Sequence, residues 1–249
     1  AVQQDSLFYV ASHYESLVES GQLGKYAPSK PPGTLLFYMV TEKLAGVLAA
    51  DDSTDSNTDL DRLRDLASVL WPVLSYLVLF SLFYYGKVVT DRSTAILACT
   101  LYVFVPSVTL VTLHTDQVIY PFLFTTSIAV SAMAVKRNNL LLAVCTGILI
   151  YVSVWFTFAL VFTLPFVLVS CYFLSVRHGN SSPWRSFLAI STAIACGVLL
   201  TDVMFRLFFN YDFLLRYENA IGYHTAWKGW TFTLMETIYF ALLNLIEYC

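Results

Sequence analysis

Charged residues are scarce in this sequence. Lysine, arginine, aspartate and glutamate make up 12% of its 249 residues, against about 25% in typical soluble domains. Hydrophobic residues make up 57%, so we expect an integral membrane protein whose main solvent is lipid. The net charge of −3 gives no electrostatic basis for binding nucleic acid, and we expect no such partner.

The signatures of several chemistries are also missing. The sequence has no Walker loop, no glycine-rich dinucleotide turn, no paired-cysteine zinc cluster and no serine nucleophile elbow. Isolated cysteines in apolar surroundings act as small hydrophobic side chains, so we expect neither disulfides nor thiolate ligands. These isolated cysteines are Cys99, Cys145, Cys171, Cys196 and Cys249.

Long apolar runs predict an all-α, polytopic bundle of transmembrane helices. A helix needs about 20 apolar residues to cross the hydrocarbon core. Six runs meet that length: 66–86, 93–113, 117–135, 139–157, 158–176 and 186–208. A seventh run starts near Thr231, and we expect the sequence to be part of a longer protein. Because 139–176 is uncharged and too long for one span, we also expect a tight reversal near residues 155–158.

Basic residues predict which face of the bundle is cytoplasmic. If the spans alternate, one face receives the basic loops that carry Lys87, Arg92, Lys136, Arg137, Arg177 and Arg185. Cytoplasmic loops are enriched in lysine and arginine, so this face is assigned to the cytoplasm. The extracytoplasmic face then receives residues 1–65, 114–116, 156–158 and the long loop 209–230. We divide the chain into an outer first loop, 1–65, and a transmembrane domain of about seven spans, 66–249.

Residues 34–50 predict an amphipathic juxtamembrane helix on the outer face. This run is short for a span and carries Glu42 and Lys43, so we expect it to lie along the membrane interface. The acidic run 51–61 that follows predicts a solvated outer loop. Near the end of the sixth span, Asp202 and Arg206 are one helical turn apart and predict a local ion pair.

The conspicuous polar residues collect on the predicted outer face. Ionisable groups that converge at a membrane interface indicate a functional site by default. The candidates are Asp5, Lys30, His114, Asp116, Tyr223 and His224. Structural alternatives stay open: Asp5 can cap a surface helix, and Asp116 can cap the span that starts at 117. Lys30 can also extend to ordinary lipid headgroups.

Lys30 lies in the rigid turn Ser-Lys-Pro-Pro-Gly, residues 29–33. Pro31 and Pro32 fix their own φ angles, and the residue before a proline is held extended. Gly33 lets the chain turn into the juxtamembrane helix. Because an ammonium group held at headgroup depth suits a phosphate, we expect this turn to hold the phosphate of a lipid carrier.

The order of these motifs resembles a known pattern. Asp5 and Tyr9 open the first outer loop, Ser-Lys-Pro-Pro-Gly precedes the juxtamembrane helix, and His-Thr-Asp-Gln lies in the next outer link. This order resembles the GT-C membrane glycosyltransferases, in the branch of the aminoarabinose transferases and protein O-mannosyltransferases. That family typically reads Asp-Glu-x-x-Tyr and Lys-Pro-Pro-Leu, whereas this chain has Ser6 and Gly33. The resemblance covers roughly residues 1–176.

The resemblance implies a GT-C-like fold and a glycosyltransferase active on the extracytoplasmic face. It implies transfer of a sugar from a polyprenyl-phosphate donor to a lipid, glycan or protein acceptor. Asp5 matches the aspartate at the family's catalytic centre, Lys30 matches its carrier-phosphate lysine, and Asp116 matches its second-loop aspartate. We expect a multi-pass protein surrounded by membrane lipids, in the plasma membrane of a prokaryote rather than in the endoplasmic reticulum.

The resemblance also implies roles for individual residues. Asp5 and Asp116 are expected to be catalytic: Asp5 acts as a general base and Asp116 orients the acceptor, or the two hold a divalent metal ion, which His114 could share. The residues expected to bind substrate are Tyr9, Tyr26, His114, Tyr223 and His224. Two other classes stay open: a transporter or flippase of a lipid-linked substrate, and a structural subunit without chemistry. A transporter predicts ionisable groups near the bilayer midplane at a repeat interface.

Overall fold

The computed structural model describes residues 6–24, 27–49, 56–105, 118–177 and 182–228. All regular elements in these ranges are helical, which confirms the all-α prediction. The α-helices are α1 (Leu7–Ser12), α2 (Tyr14–Glu19), α3 (Pro32–Ala49), α4 (Ser56–Tyr76), α5 (Val78–Val89), α6 (Arg92–Val103), α7 (Tyr120–Arg137), α8 (Leu140–Phe156), α9 (Thr163–Arg177), α10 (Pro183–Phe209) and α11 (Phe213–Lys228). Short 3₁₀ helices cover Ala27–Ser29 and Phe158–Phe162.

Membrane character is carried by long apolar helices. Within the described ranges, three segments are long and apolar enough to cross a membrane: Leu63–Val89, Phe158–Arg177 and Pro183–Phe209. Two shorter apolar helices are Arg92–Val103 and Leu140–Phe156. The total number of crossings, their orientation and the division at residue 65 stay predictions.

The bundle core is formed by α7, α8, α9 and α10, with small residues at the closest crossing. A Cβ atom on Gly147 of α8 would lie 2.1 Å from the backbone oxygen of Ile194, and one on Gly197 of α10 would lie 2.2 Å from that of Val144. Glycine therefore lets these two helices pack backbone against backbone, as small residues do between membrane helices.

The N-terminal caps of two helices bear on the structural alternatives for Asp5 and Asp116. The N-cap of α1 is Ser6, whose Oγ accepts a hydrogen bond from the backbone N–H of Tyr9 at 3.1 Å. The N-cap of α7 is Ile119. Ser6 rather than Asp5 therefore takes the capping role of α1. The alternative that Asp116 caps the span at 117 falls on residues outside the described ranges and stays open.

Two predicted loops contain helices. The acidic run 51–61 is not a loop throughout, because α4 starts at Ser56; acidic residues favour the first turns of a helix. The region 209–230 contains α11. Asn210 ends α10 in the left-handed conformation at φ 49°, and Asp212 Oδ1 accepts the backbone N–H groups of Leu214 and Leu215 at 2.9 and 3.1 Å. The C-terminal cap of α10 and the N-terminal cap of α11 therefore lie close together in the sequence.

Three local predictions concern described residues. A helix, α3, is present over most of the predicted segment 34–50 and starts at Pro32, because proline is favoured in a first helical turn. Its amphipathic character and its place on the outer face stay predictions. The expected reversal near 155–158 occurs where α8 ends and Thr157 is extended. The four cysteines in the described ranges are free: Cys99, Cys145, Cys171 and Cys196.

Candidate functional site

The turn that carries Lys30 packs directly against the end of α8. A Cβ atom on Gly33 would lie 2.6 Å from the backbone oxygen of Trp155 and 2.9 Å from the Cα of Phe156. A side chain at position 33 would collide with backbone, which cannot move aside as a flexible side chain can. Packing therefore requires glycine at position 33, where the GT-C pattern that the sequence resembles has leucine.

Thr34 joins three helices at this end of the bundle. Its buried Oγ1 donates a hydrogen bond to the backbone oxygen of Phe156 at 2.7 Å. The same atom lies 2.9 Å from the hydroxyl oxygen of Tyr120, the first residue of α7. The start of α3, the start of α7 and the end of α8 are therefore held together by one hydroxyl group.

Arg216 of α11 reaches the first segment of the chain from the other direction. Its side chain is 1% exposed, and its Nη1 donates to Glu15 Oε2 at 3.0 Å. Its Nη2 donates to the backbone oxygen of Pro28, and its guanidinium lies 5.7 Å from the centroid of the Tyr14 ring. Arg216 therefore ties α11 both to α2 and to the turn immediately before Lys30.

Tyr14 fixes the same turn from α2. Its hydroxyl lies 3.1 Å from the backbone oxygens of Ala27 and of Lys30, in position to donate to either. Burial raises the pKa of Tyr14 far above its ordinary value, only partly opposed by the charge of Arg216. The hydroxyl therefore stays protonated and remains a donor at physiological pH. The backbone of residues 27–30 is held by Tyr14 and Arg216 together.

A cavity of about 230 Å³ opens beside this turn. The described residues that line it are Tyr14, Leu23, Ala27, Lys30, Pro31, Thr34, Leu35 and Tyr38. They combine one ammonium group and three hydroxyl groups with apolar walls. Such a cavity can hold an anionic group against Lys30 while neighbouring hydroxyls hydrogen-bond polar substituents. Its volume lies below the range of about 300–1,000 Å³ typical of drug-sized ligands, and suits a headgroup rather than a whole lipid.

The predicted site residues have different outcomes. Lys30 lines the cavity as expected of a binding residue. Tyr9 does not line it; this ring is 43% exposed and stacks on His13 at a centroid distance of 4.4 Å. Tyr223 is exposed on α11 and is not among the described lining residues. His224 belongs to the same helix, and its side chain lies outside what the structure describes.

The remaining predicted residues lie outside the described ranges: Asp5, Tyr26, His114 and Asp116. Their roles, including the proposed general base, stay predictions. Within the described ranges, no group of three or more histidine, cysteine, aspartate or glutamate side chains is placed to hold a metal ion. Because both predicted metal ligands, Asp5 and Asp116, fall outside those ranges, the divalent metal also stays a prediction.

Sequence reasoning missed Tyr14, Thr34 and Arg216. Arg216 carried a usable signal, since a lone arginine in the apolar run Phe-Leu-Leu-Arg-Tyr requires a partner when it is buried. Tyr14 and Thr34 carried none, because tyrosine and threonine are ordinary residues in helices of either environment.

Comparison with known proteins adds no assignment. No protein family, no curated protein and no solved structure matches this chain. The GT-C resemblance therefore rests on the short motifs alone, and the function is argued from the site.

Proposed function

We propose that this protein is an integral-membrane glycosyltransferase that moves a sugar from a polyprenyl-phosphate donor to an acceptor. The observation that carries the proposal is the position of Lys30. This residue lines a cavity at one end of the helical bundle, on a turn whose backbone is held by Tyr14 and Arg216. An ammonium group on a braced turn, beside a small cavity with apolar walls and hydroxyl groups, suits recognition of a phosphate that bears a sugar.

Lys30 is assigned the departing phosphate. Negative charge grows on the lipid phosphate as its bond to the sugar breaks. A cation already held in place stabilises that charge without first having to reorganise, and such stabilisation is usually a large part of catalysis. The hydroxyl oxygens of Tyr14 and Thr34 line the same cavity; because their own protons are donated to backbone oxygens, they are assigned as acceptors for hydroxyl groups of the sugar.

Asp5 is assigned the acceptor side of the reaction. A carboxylate can remove the proton from the attacking hydroxyl, or can position a divalent metal together with Asp116. The described neighbours of these residues support the assignment. Leu7, close after Asp5, packs against the cluster that includes Leu36 of α3, and Tyr120, close after Asp116, contacts Thr34.

The same geometry favours an enzyme over the two alternatives. A transporter is expected to place its ionisable groups near the middle of the bilayer, whereas Lys30 lies where α3 starts and α8 ends. A structural subunit has no need for a cation on a braced turn beside a cavity. If the unmodified protein transferred no sugar in the assay below, the result would favour these two alternatives over an enzyme.

The test replaces Lys30 with alanine and measures sugar transfer from a panel of polyprenyl-phosphate sugars in reconstituted vesicles. Lys43→Ala is the matched control, because Lys43 is an exposed lysine on α3. We expect Lys30→Ala to lower transfer about 10²–10³-fold, as does loss of one group that stabilises transition-state charge. Lys43→Ala should leave transfer unchanged. Normal transfer by a well-folded Lys30→Ala protein would exclude the assigned role.

A further inference from the structure

A second cavity, of about 270 Å³, lies between α8, α9, α10 and α11. It shares no described lining residue with the cavity beside Lys30. Its walls are mainly apolar, and include Ile150, Val154, Leu164 and Val198. Leu199 and Leu214 also line it and are 64% and 66% exposed. The cavity therefore opens to the apolar surroundings of two candidate spans.

A polar cluster borders this apolar cavity. Arg206 Nε donates to Asp202 Oδ2 at 2.8 Å, which confirms the predicted ion pair, and Arg206 Nη1 donates to Asp212 Oδ2 at 2.7 Å. The hydroxyl of Tyr151 donates to Asp202 Oδ1 at 2.9 Å. With two carboxylates and one guanidinium, the cluster has a net charge of −1. Its three charged side chains are 22–42% exposed, so a bound headgroup can reach them.

The cluster keeps both donors and acceptors for a ligand. Its described partners take three N–H groups of Arg206, through Nε, Nη1 and Nη2, out of the five that a guanidinium carries. Asp202 accepts two hydrogen bonds from described residues, whereas a carboxylate has about four acceptor positions. One ligand can thus donate to Asp202 and accept from Arg206.

We propose that this cavity binds a phospholipid whose zwitterionic head carries a primary ammonium group. One acyl chain enters the apolar cavity, the ammonium donates to Asp202 and Asp212, and the phosphate accepts from Arg206. The net charge of −1 disfavours an anionic head such as glycerol phosphate. A choline head carries the same charges as ethanolamine but has no N–H donor, so it cannot satisfy the carboxylates in the same way.

The experiment is native mass spectrometry of the purified protein in detergent, with added lipids that share the same acyl chains. The lipids are phosphatidylethanolamine, phosphatidylcholine and phosphatidylglycerol. We expect the ethanolamine lipid to be retained at least fivefold more than either of the others. Equal retention of the three lipids by the unmodified protein would overturn the proposal.

Variants then locate the site. Asp202→Asn and Asp212→Asn each remove one negative charge but keep a side-chain oxygen for Tyr151 or for the α11 cap, and both should reduce the preference to about twofold or less. Asp65→Asn is the control, because Asp65 forms an exposed ion pair with Arg64 elsewhere. An unchanged preference in both Asp202→Asn and Asp212→Asn would contradict the assignment of the head.

The chain-binding part is tested separately. Leu199→Trp fills the cavity and should reduce retention of all three lipids at least threefold. Leu207→Trp adds the same bulk at a 75% exposed position of α10 that is not among the described lining residues, and should change nothing. Equal retention by these two variants would remove the cavity from the proposal. None of these measurements depends on sugar transfer, so they stand or fall independently of the proposed enzyme activity.

Discussion

Arg216 and Glu15 form an ion pair across 201 positions of sequence, with Nη1 and Oε2 3.0 Å apart. The guanidinium is buried, so its charge depends on protein partners rather than on water for stabilisation. Through this pair, helix α11 is fixed to the segment that leads into the Lys30 turn. The pair therefore affects both the stability of the fold and the geometry of the proposed site.

Loss of one partner of this pair should be costly. Arg216→Met is expected to lower the free energy of unfolding by about 3–5 kcal/mol, because Glu15 is left without its counter-charge in a partly buried position. The double variant with Glu15→Leu should recover part of the loss. Denaturant titration in micelles measures both. Arg64→Met, at an exposed pair, is the control and should change stability by less than about 1 kcal/mol. Equal effects at the two arginines would contradict a structural role for the buried pair.

The close contact at Gly33 predicts a position-specific effect of alanine. Gly33→Ala forces a methyl group against the backbone of Trp155 and Phe156, and should destabilise the protein by about 1–3 kcal/mol. Gly46→Ala in the same helix meets no atom within 4 Å and should stabilise by about 0.5–1 kcal/mol. The same denaturant titration measures the free energy of unfolding of both variants. Stabilisation by both variants would show that α3 does not pack on α8 as described.

The hydroxyl of Thr34 predicts a loss that a similar threonine does not share. Thr34→Val leaves the terminal carbonyl of α8 without this donor and removes the contact with Tyr120, at a cost of about 1–3 kcal/mol. Thr41→Val is the control: Thr41 is also buried on α3, but its hydroxyl donates within its own helix, to Phe37. Thr41→Val should therefore lower the free energy of unfolding by less than Thr34→Val does. The comparison fails if Thr41→Val costs as much as Thr34→Val.

The assignment of Asp5 makes a kinetic prediction. Asp5→Asn keeps the size of the side chain but removes its basicity, and should lower the turnover number about 10²–10⁴-fold, the usual contribution of a general base. Donor binding should change far less, because the phosphate is assigned to Lys30 and not to Asp5. Steady-state transfer assays with a donor titration measure the turnover number separately from donor binding. Asp65→Asn is the control. Near-normal turnover would reassign the base.

Much of the helical bundle follows from the apolar runs. In lipid, each backbone polar group requires a hydrogen-bond partner within the protein. A long apolar run therefore favours a helix, which supplies those partners within one segment. The runs at 139–157, 158–176 and 186–208 correspond closely to observed helices. Local signals were sufficient for the reversal after Phe156. Local signals also exist at Asn210, which ends α10, and at Asp212, which caps the start of α11. The prediction of a loop over 209–230 did not take them into account.

The site was less predictable than the helices. Lys30 was recognisable because two prolines and a glycine give its position a rigid local geometry. Tyr14 and Arg216 owe their roles to contacts with the backbone of residues 27–30, and no local pattern encodes contacts between segments so distant in sequence. The need for Gly33 likewise comes from the backbone of α8, which no feature of residues 29–33 reveals.

The long separation between Glu15 and Arg216 also sets the order in which the chain can assemble during synthesis. At about 5–20 residues per second, roughly 10–40 s pass between translation of Glu15 and translation of Arg216. During that interval the nascent first segment has none of the contacts that Arg216 supplies. Completion of the Lys30 turn is therefore a late event of biogenesis, even though the residues that form it are made well before Arg216.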